Sequence, residues 1–121
     1  MKGMLESKIN EEMIKITKEA IGRGAEAAKT RICEDMIIVR LSKSLTHEER
    51  QIISNAEGRR LVRELRYLLD EEILKPKFTE MILRLTGCQV IGVYRDINLE
   101  KGEYVYLFVL DKNLEEELKS R

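Results

Sequence analysis

Apolar residues in the first part of the chain recur with the period of an α-helix. They fall three or four positions apart, so they share one helical face: Leu5, Ile9, Met13, Ile16 and Ala20. Gly22 and Gly24 then interrupt the pattern, and glycine commonly ends a helix because it adopts the left-handed conformation at little cost. A phosphate-binding loop needs a strand before its glycines and a helix after them. Here the order is reversed, so we predict a surface helix that ends at these glycines.

Four later stretches alternate with the period of two that is typical of a β-strand. They are residues 29–33, 36–42, 89–97 and 103–110. The first two are joined by a short turn, and so are the last two, which predicts two β-hairpins. The first stretch is the most charged, which suits a strand at the edge of a sheet.

The last of these strands is apolar on both of its faces. Tyr104 and Tyr106 point to one side, whereas Val105 and Leu107 point to the other. A strand of this kind is usually covered on both faces, so we expect helices on one side and a second copy of the protein on the other. Together with Tyr94, the two tyrosines predict an aromatic docking surface, because tyrosine is enriched at protein interfaces.

Helices are predicted between the two hairpins. Thr46 and Glu49 have the spacing of a capping box, which marks the start of a short helix. A longer helix follows Gly58, and its apolar residues are expected to line the inner face: Leu61, Leu65, Leu68, Leu69 and Ile73. Pro76 predicts a kink or a restart, after which a second apolar stripe runs on to Gly87: Phe78, Met81, Ile82 and Leu85.

The resulting order is α-ββ-α-α-ββ, followed by a short polar helix. This order predicts an α+β fold in which a four-stranded antiparallel sheet is backed by helices. The chain has 121 residues, the size of one domain, so we expect residues 1–121 to form a single unit. A domain of this length buries roughly two-thirds of its unfolded surface and needs no metal or disulfide to fold.

The amino-acid composition argues against some classes of protein. Lysine plus arginine and aspartate plus glutamate number 22 each, whereas a general nucleic-acid-binding protein needs a basic excess. No stretch reaches the ~20 apolar residues that span a bilayer, and no signal-peptide pattern follows Met1, so we expect a cytoplasmic protein. Charged residues make up 36% of the chain, which is typical of heat-adapted proteins.

Little in the chain resembles a catalytic or metal site. His47 is the only histidine, and it stands at a predicted helix start with no nucleophile beside it. Cys33 and Cys88 are far apart and form no CxxC motif. Asp96 ends a strand beside Arg95, where it can bind a partner or satisfy the backbone of the turn. We therefore predict a protein that is not an enzyme and that has no cofactor or metal.

Arginines form the best candidate for a recognition surface. Arg59, Arg63 and Arg66 are three or four residues apart, so they are expected on one side of a helix. Arg23, Arg59 and Arg66 could converge on an anion, because arginine binds phosphate or carboxylate through paired hydrogen bonds. The alternative is a surface on which these arginines pair with neighbouring carboxylates.

Six short motifs follow one another in a specific order. They are GRG at 22–24, DMIIVRL at 35–41, LTHEE at 45–49, EGRRLVRELR at 57–66, TGCQVIGVYRDI at 86–97 and VYLFVL at 105–110. In this order and spacing they resemble the MpsC family, small bacterial proteins named after a sodium-translocating, membrane-potential-generating system. The resemblance covers residues 5–114, and Ala25 stands where the family pattern has proline.

The resemblance implies a soluble protein that associates with a membrane system for sodium or inorganic-carbon transport and does not itself carry ions. It supplies no catalytic residues. On this basis we expect a non-enzymatic interaction or regulatory module, a homodimer that is cytoplasmic or peripheral to the inner face of the membrane. The alternative is a domain that binds a small anion or a phosphate ligand through the arginine cluster.

Overall fold

Helices cover one face of a four-stranded antiparallel sheet in the computed structural model, which describes residues 1–22 and 24–121. The helices are α1 (Lys2–Ile21), α2 (His47–Ile52), α3 (Ala56–Leu69), α4 (Lys75–Thr86) and α5 (Leu114–Lys119), with a π-helical segment (Asp70–Leu74) between α3 and α4. The strands are β1 (Ala27–Cys33), β2 (Met36–Ser42), β3 (Val90–Asn98) and β4 (Glu103–Leu110). Their order across the sheet is β1-β2-β4-β3. The predicted α+β fold is confirmed, and the charged strand β1 lies at an edge.

Local signals in the sequence place the helix ends. Gly22 caps α1 in the left-handed conformation, with φ of 86°. The predicted capping box of α2 is present: the Thr46 hydroxyl accepts the N–H of Glu49 at 3.1 Å, and the Glu49 carboxylate accepts the N–H of Thr46 at 2.8 Å. Gly58 lies inside α3, and a Cβ at this position would stand 1.5 Å from the carbonyl oxygen of Ile52. Only glycine allows α2 and α3 to approach this closely.

The core lies between the helices and the inner face of the sheet. Phe78 of α4 is its centre, with its ring in edge-to-face contact with Tyr106 at 5.1 Å and with Phe108 at 6.2 Å between centroids. Ile9 and Met13 of α1 are fully buried in the same cluster. Side chains of β2 and β4 complete it from the sheet: Ile37, Val39, Leu41, Tyr104, Tyr106, Phe108 and Leu110.

The long helical run from α3 to α4 buries one residue in every four. This row contains Val62, Arg66, Asp70, Leu74, Phe78 and Ile82, and Met81 is buried beside it. In a regular α-helix, each step of four residues advances by about 40° around the axis, so such a row would drift away from the sheet. The π-helical segment has a wider turn and counters this drift at Asp70–Leu74.

The expected inner face of α3 is wrong. Leu61, Leu65 and Leu68 are 45%, 49% and 57% exposed, while Arg66 is 2% exposed. The physical reason is that the helix follows the four-residue row that continues from α4, and buried partners satisfy the charges on that row.

Candidate functional site

Arg66 forms a buried ion pair with Glu49 of α2. Its Nε donates to Oε2 of Glu49 and its Nη2 to Oε1, each at 2.7 Å, and Nη2 also donates to the carbonyl oxygen of Ser44 at 2.5 Å. Burial opposes ionisation of Glu49, but hydrogen bonds from Arg66 and Thr46 outweigh it, so the pKa of Glu49 lies below its usual value. The pair joins α2, α3 and the loop after β2.

Asp70 is the second buried charge, and it lies at the start of the π-helical segment with no exposed surface. Its carboxylate accepts hydrogen bonds from the hydroxyl groups of Tyr104, at 3.0 Å, and Tyr106, and it is ion-paired with Nε of Arg95 at 3.0 Å. Burial raises the pKa of Asp70, although the tyrosines and Arg95 act in the opposite direction. Burial and the neighbouring Asp70 also raise the pKa of Tyr106 well above its ordinary value.

These two clusters explain why polar residues occupy the inside of α3. The partners of Arg66 and Asp70 come from α2, β3 and β4, so the buried charges tie the helix to the sheet. Their hydrogen-bonding groups are engaged with one another, and Asp70 is closed to solvent. The arrangement can orient elements of the fold, but it offers no open position to a substrate.

The outward face of α3 carries the exposed leucines at 61, 65 and 68, which we call the leucine ridge. They are spaced at i, i+4 and i+7, so they form one continuous stripe on the helix. The first two leucines, with Ile52 of α2 and Ile21 of α1, line a groove of about 610 Å³. Contiguous apolar surface of this kind on a small domain usually marks an interaction site.

The sheet face opposite the helices is uncovered by the described residues, and we call it the open face. Its centre is apolar, with Ile38 of β2 beside Leu107 of β4. Charged and polar side chains surround this centre. The residues of the open face are Ala27, Lys29, Arg31, Cys33, Met36, Ile38, Arg40, Ser42, Gly92, Tyr94, Asp96, Asn98, Glu103, Val105, Leu107 and Val109. Strand β4 is therefore apolar on both faces, as predicted, and within the single chain only the face towards the helices is covered.

Three of the predicted binding residues come together beside β3. Arg59, Arg63 and Asp96 line one cavity of about 580 Å³, which also contains Glu100 and Glu103. Nη1 of Arg59 donates to the carbonyl oxygen of Ile53 at 3.0 Å, and the Asp96 carboxylate accepts the N–H of Ile97 at 2.8 Å. The cavity therefore combines two arginines with three carboxylates, which weakens its attraction for an anion.

The expected arginine surface needs one correction. Arg66 does not lie beside Arg59 and Arg63 on the surface, because Glu49 and the carbonyl of Ser44 hold it in the interior. Arg60, on the exposed side of the same helix, pairs with Glu57 at 2.5 Å and with Glu64 at 2.6 Å, which agrees with the alternative of arginines that pair with neighbouring carboxylates. Arg23, the remaining predicted binding residue, lies outside the described residues. Anion binding by these arginines stays a prediction.

The expected tyrosine surface is also wrong in two of its three members. Tyr104 and Tyr106 are 4% and 1% exposed, because they point towards the helices and donate to Asp70. Tyr94 alone of the three is on the open face, where it is 65% exposed. The alternation of β4 could not decide which of its two apolar sets faces the helices.

The remaining sequence expectations concern catalysis and membranes. His47 is the exposed first residue of α2, as expected from the capping pattern. Over residues 1–22 and 24–121, no three or more His, Cys, Asp or Glu side chains are placed to hold a metal ion. Within the same ranges, none of the helices has the length and apolar character needed to cross a membrane.

Comparison with known proteins places the chain in a family. A family model described as the Na⁺-translocating membrane potential-generating system (MpsC) matches residues 1–112. The chain belongs to the MpsC family. The resemblance drawn from the six motifs is thereby confirmed, and the family's name links the chain to a sodium-translocating system.

Two proteins of Bacillus subtilis (strain 168) are similar to this MpsC-family chain along most of their length. The uncharacterized protein YbcI is 34% identical over 118 residues, which cover 98% of this chain and 94% of YbcI. The uncharacterized protein YrhF is 29% identical over 108 residues, which cover 89% of this chain and 88% of YrhF. No solved structure matches the chain.

The burial of Glu49, Arg66 and Asp70 was not predicted from the sequence. One signal for the last two was present: stepping back in fours from Phe78, which is a clear core residue, reaches Leu74, Asp70 and Arg66. For Glu49 there was no comparable signal, since its role in the capping box is equally compatible with an exposed position.

Proposed function

We propose that this MpsC-family protein is a non-enzymatic interaction module that works as a homodimer and docks on a protein of a sodium-translocating membrane system from the cytoplasmic side. The leucine ridge is the observation that carries this proposal. It combines exposed leucines on the outside of α3 with buried charges on the inside. Folding alone would favour the opposite arrangement, because burial of a leucine side chain stabilises a protein by about 1.5–3 kcal/mol.

The geometry of the ridge supports a helical, apolar partner segment. A stripe at i, i+4 and i+7 is the pattern by which helices recognise one another in a groove. The groove beside the ridge, between the ends of α1 and α2, offers space for side chains of such a segment. The family's name supports a partner within a sodium-translocating system.

The absence of enzymatic activity in this proposal is supported by how the polar residues are used. Asp70 accepts from two tyrosines and pairs with Arg95, and Arg66 is held by Glu49. These are the groups whose burial would otherwise suit acid–base chemistry. They act in the proposal as supports for the orientation of α3, and hence of the ridge.

The proposal is tested by exchanging the ridge leucines for glutamate in the triple variant Leu61→Glu, Leu65→Glu and Leu68→Glu. Glutamate is a good helix former, so α3 should remain intact while its apolar stripe is lost. The tagged protein is isolated gently from solubilised membranes of its native cells, and the retained proteins are identified by mass spectrometry. We expect the original chain to retain a membrane component of a sodium-translocating system and the variant to lose it.

The matched control is Leu83→Glu, which changes a leucine of α4 that is exposed to a similar degree, 44%, outside the ridge. It should retain the same membrane component as the original chain. The proposal fails if the original chain retains no such component, or if the triple variant retains it as well as the control does.

A further inference from the structure

The open face has a charge pattern that is complementary to itself. Residues paired across the sheet form rows that run through β1, β2, β4 and β3. One row is Lys29, Arg40, Val105 and Asp96, and the next is Arg31, Ile38, Leu107 and Tyr94. Positive charges therefore lie in the β1–β2 half of the face, while the aspartate and the exposed aromatic ring lie in the β3 half.

A two-fold axis parallel to the strands would place opposite halves of two such faces in contact. Rotation about this axis lays β1 of one copy over β3 of the second, and β2 over β4. Lys29 then lies over Asp96 of the second copy, and Arg31 over the ring of Tyr94 of the second copy. Sheets that pack in this aligned way lie about 10 Å apart, a gap that long side chains span.

The centre of the same arrangement is apolar. Ile38 of one copy would lie over Leu107 of the second, and Met36 over Val109 in the adjoining row. Because a two-fold interface is the same patch on both copies, each of these contacts occurs twice. An apolar centre with a polar rim is the composition found in stable interfaces.

The other possible two-fold axis, perpendicular to the strands, does not give this complementarity. It would lay β1 of one copy over β1 of the second, so that Lys29 and Arg31 faced each other across the axis. Like charges placed opposite one another oppose association. Arg40 is already paired with Glu103 at 3.7 Å in its own chain, so it does not decide between the two axes.

We propose that two copies of the chain pack open face to open face about an axis parallel to the strands, with Lys29 of each copy opposite Asp96 of the other. This inference rests on the proposed homodimer and specifies its interface. It leaves the leucine ridge, on the helical side of each copy, accessible to a membrane partner.

The experiment is sedimentation velocity over a range of protein concentrations, with the single variants Lys29→Glu and Asp96→Lys. In a dimer of either variant alone, residues 29 and 96 have the same charge at both symmetric contacts. The Kd of that dimer should therefore rise roughly ten-fold or more. An equal mixture of the two should restore association, because a mixed dimer has one original pair and one exchanged pair. Restoration in the mixture reports contact between chains rather than an effect within one chain.

A second pair of variants separates the open face from the ridge. The double variant Ile38→Thr and Leu107→Thr keeps residues that favour strands and should also weaken the dimer roughly ten-fold or more, whereas Leu65→Glu should leave its Kd unchanged. Circular dichroism confirms that each variant is folded. A monomer at all concentrations would overturn both the homodimer and its interface. Three outcomes would overturn this interface alone. The dimer could keep its Kd in the open-face variants, the mixture could fail to restore association, or Leu65→Glu could abolish the dimer.

Discussion

The two halves of the long helical run use opposite patterns. In α4, Phe78, Met81 and Ile82 are buried and the charged residues are outside. In α3, Arg66 is buried beside Val62, whereas Leu61, Leu65 and Leu68 are outside. The same backbone run therefore contributes apolar surface to the core in one half and to the surroundings in the other. The number of leucines in a helix therefore does not identify its inner face.

What makes the inversion of α3 stable is that each buried charge has several partners. A buried charge that loses its partner costs far more than an exposed one, because the remaining group has neither water nor an opposite charge. Glu49 and Arg66 meet through two hydrogen bonds, and Asp70 has two tyrosines and Arg95. By contrast, the core around α4 consists mainly of apolar contacts, which tolerate small changes of shape more readily.

Removing one charge from the buried side of α3 should have the largest effect on stability. Arg66→Met keeps much of the side-chain volume but leaves the Glu49 carboxylate buried without its cation. We expect the free energy of unfolding to fall by about 3–5 kcal/mol, measured by urea denaturation. Adding Glu49→Gln should recover a large part of this loss, because no charge is then stranded and glutamine can still accept the N–H of Thr46.

Two results would show that the pair does not hold α3 in place. One is a fall in the free energy of unfolding of less than about 1 kcal/mol in Arg66→Met, and the other is a double variant that is less stable than Arg66→Met.

Removing a hydrogen bond from the Asp70 cluster should lower the free energy of unfolding by a smaller amount, which depends on pH. Tyr106→Phe removes one hydrogen bond to a buried carboxylate, so unfolding should become easier by roughly 1.5–3 kcal/mol at neutral pH. Burial and Asp70 raise the pKa of Tyr106 in the folded state. Its contribution to stability is therefore complete below the unfolded pKa of about 10 and is lost as the pH rises further.

Urea denaturation between about pH 9 and pH 11.5 checks this sign. The original chain should lose stability with rising pH more steeply than Tyr106→Phe, by up to about 1.4 kcal/mol per pH unit. Identical slopes for the two proteins would contradict a raised pKa at Tyr106.

Much of the fold could be predicted because its signals are local. The strands alternate with a period of two, and the helix ends are marked by Gly22 and by the Thr46–Glu49 box, which the structure confirms. These features depend on residues a few positions apart, so a single sequence contains them. Pro76 lies in the first turn of α4, and the helical run from α3 continues up to it without a break.

The inner face of α3 and the tyrosines of β4 could not be predicted in the same way. The burial of Arg66 depends on Glu49, which is 17 residues away along the chain. The orientation of Tyr104 and Tyr106 depends on Asp70, which is 34 and 36 residues away, respectively. Apolar periodicity predicts that leucine is buried in preference to arginine. It contains no information about a distant partner that stabilises a buried arginine.

The smallest change in stability is expected when the leucines of the ridge are replaced. We propose that the leucine ridge serves association and contributes little to the folding of α3. The measurement is the free energy of unfolding of the triple variant Leu61→Glu, Leu65→Glu and Leu68→Glu by urea denaturation, at a concentration where the original chain has the same oligomeric state. We predict a value within about 1 kcal/mol of the original, as for exposed positions. A loss of more than about 4 kcal/mol, which is the scale of core leucines, would contradict the claim.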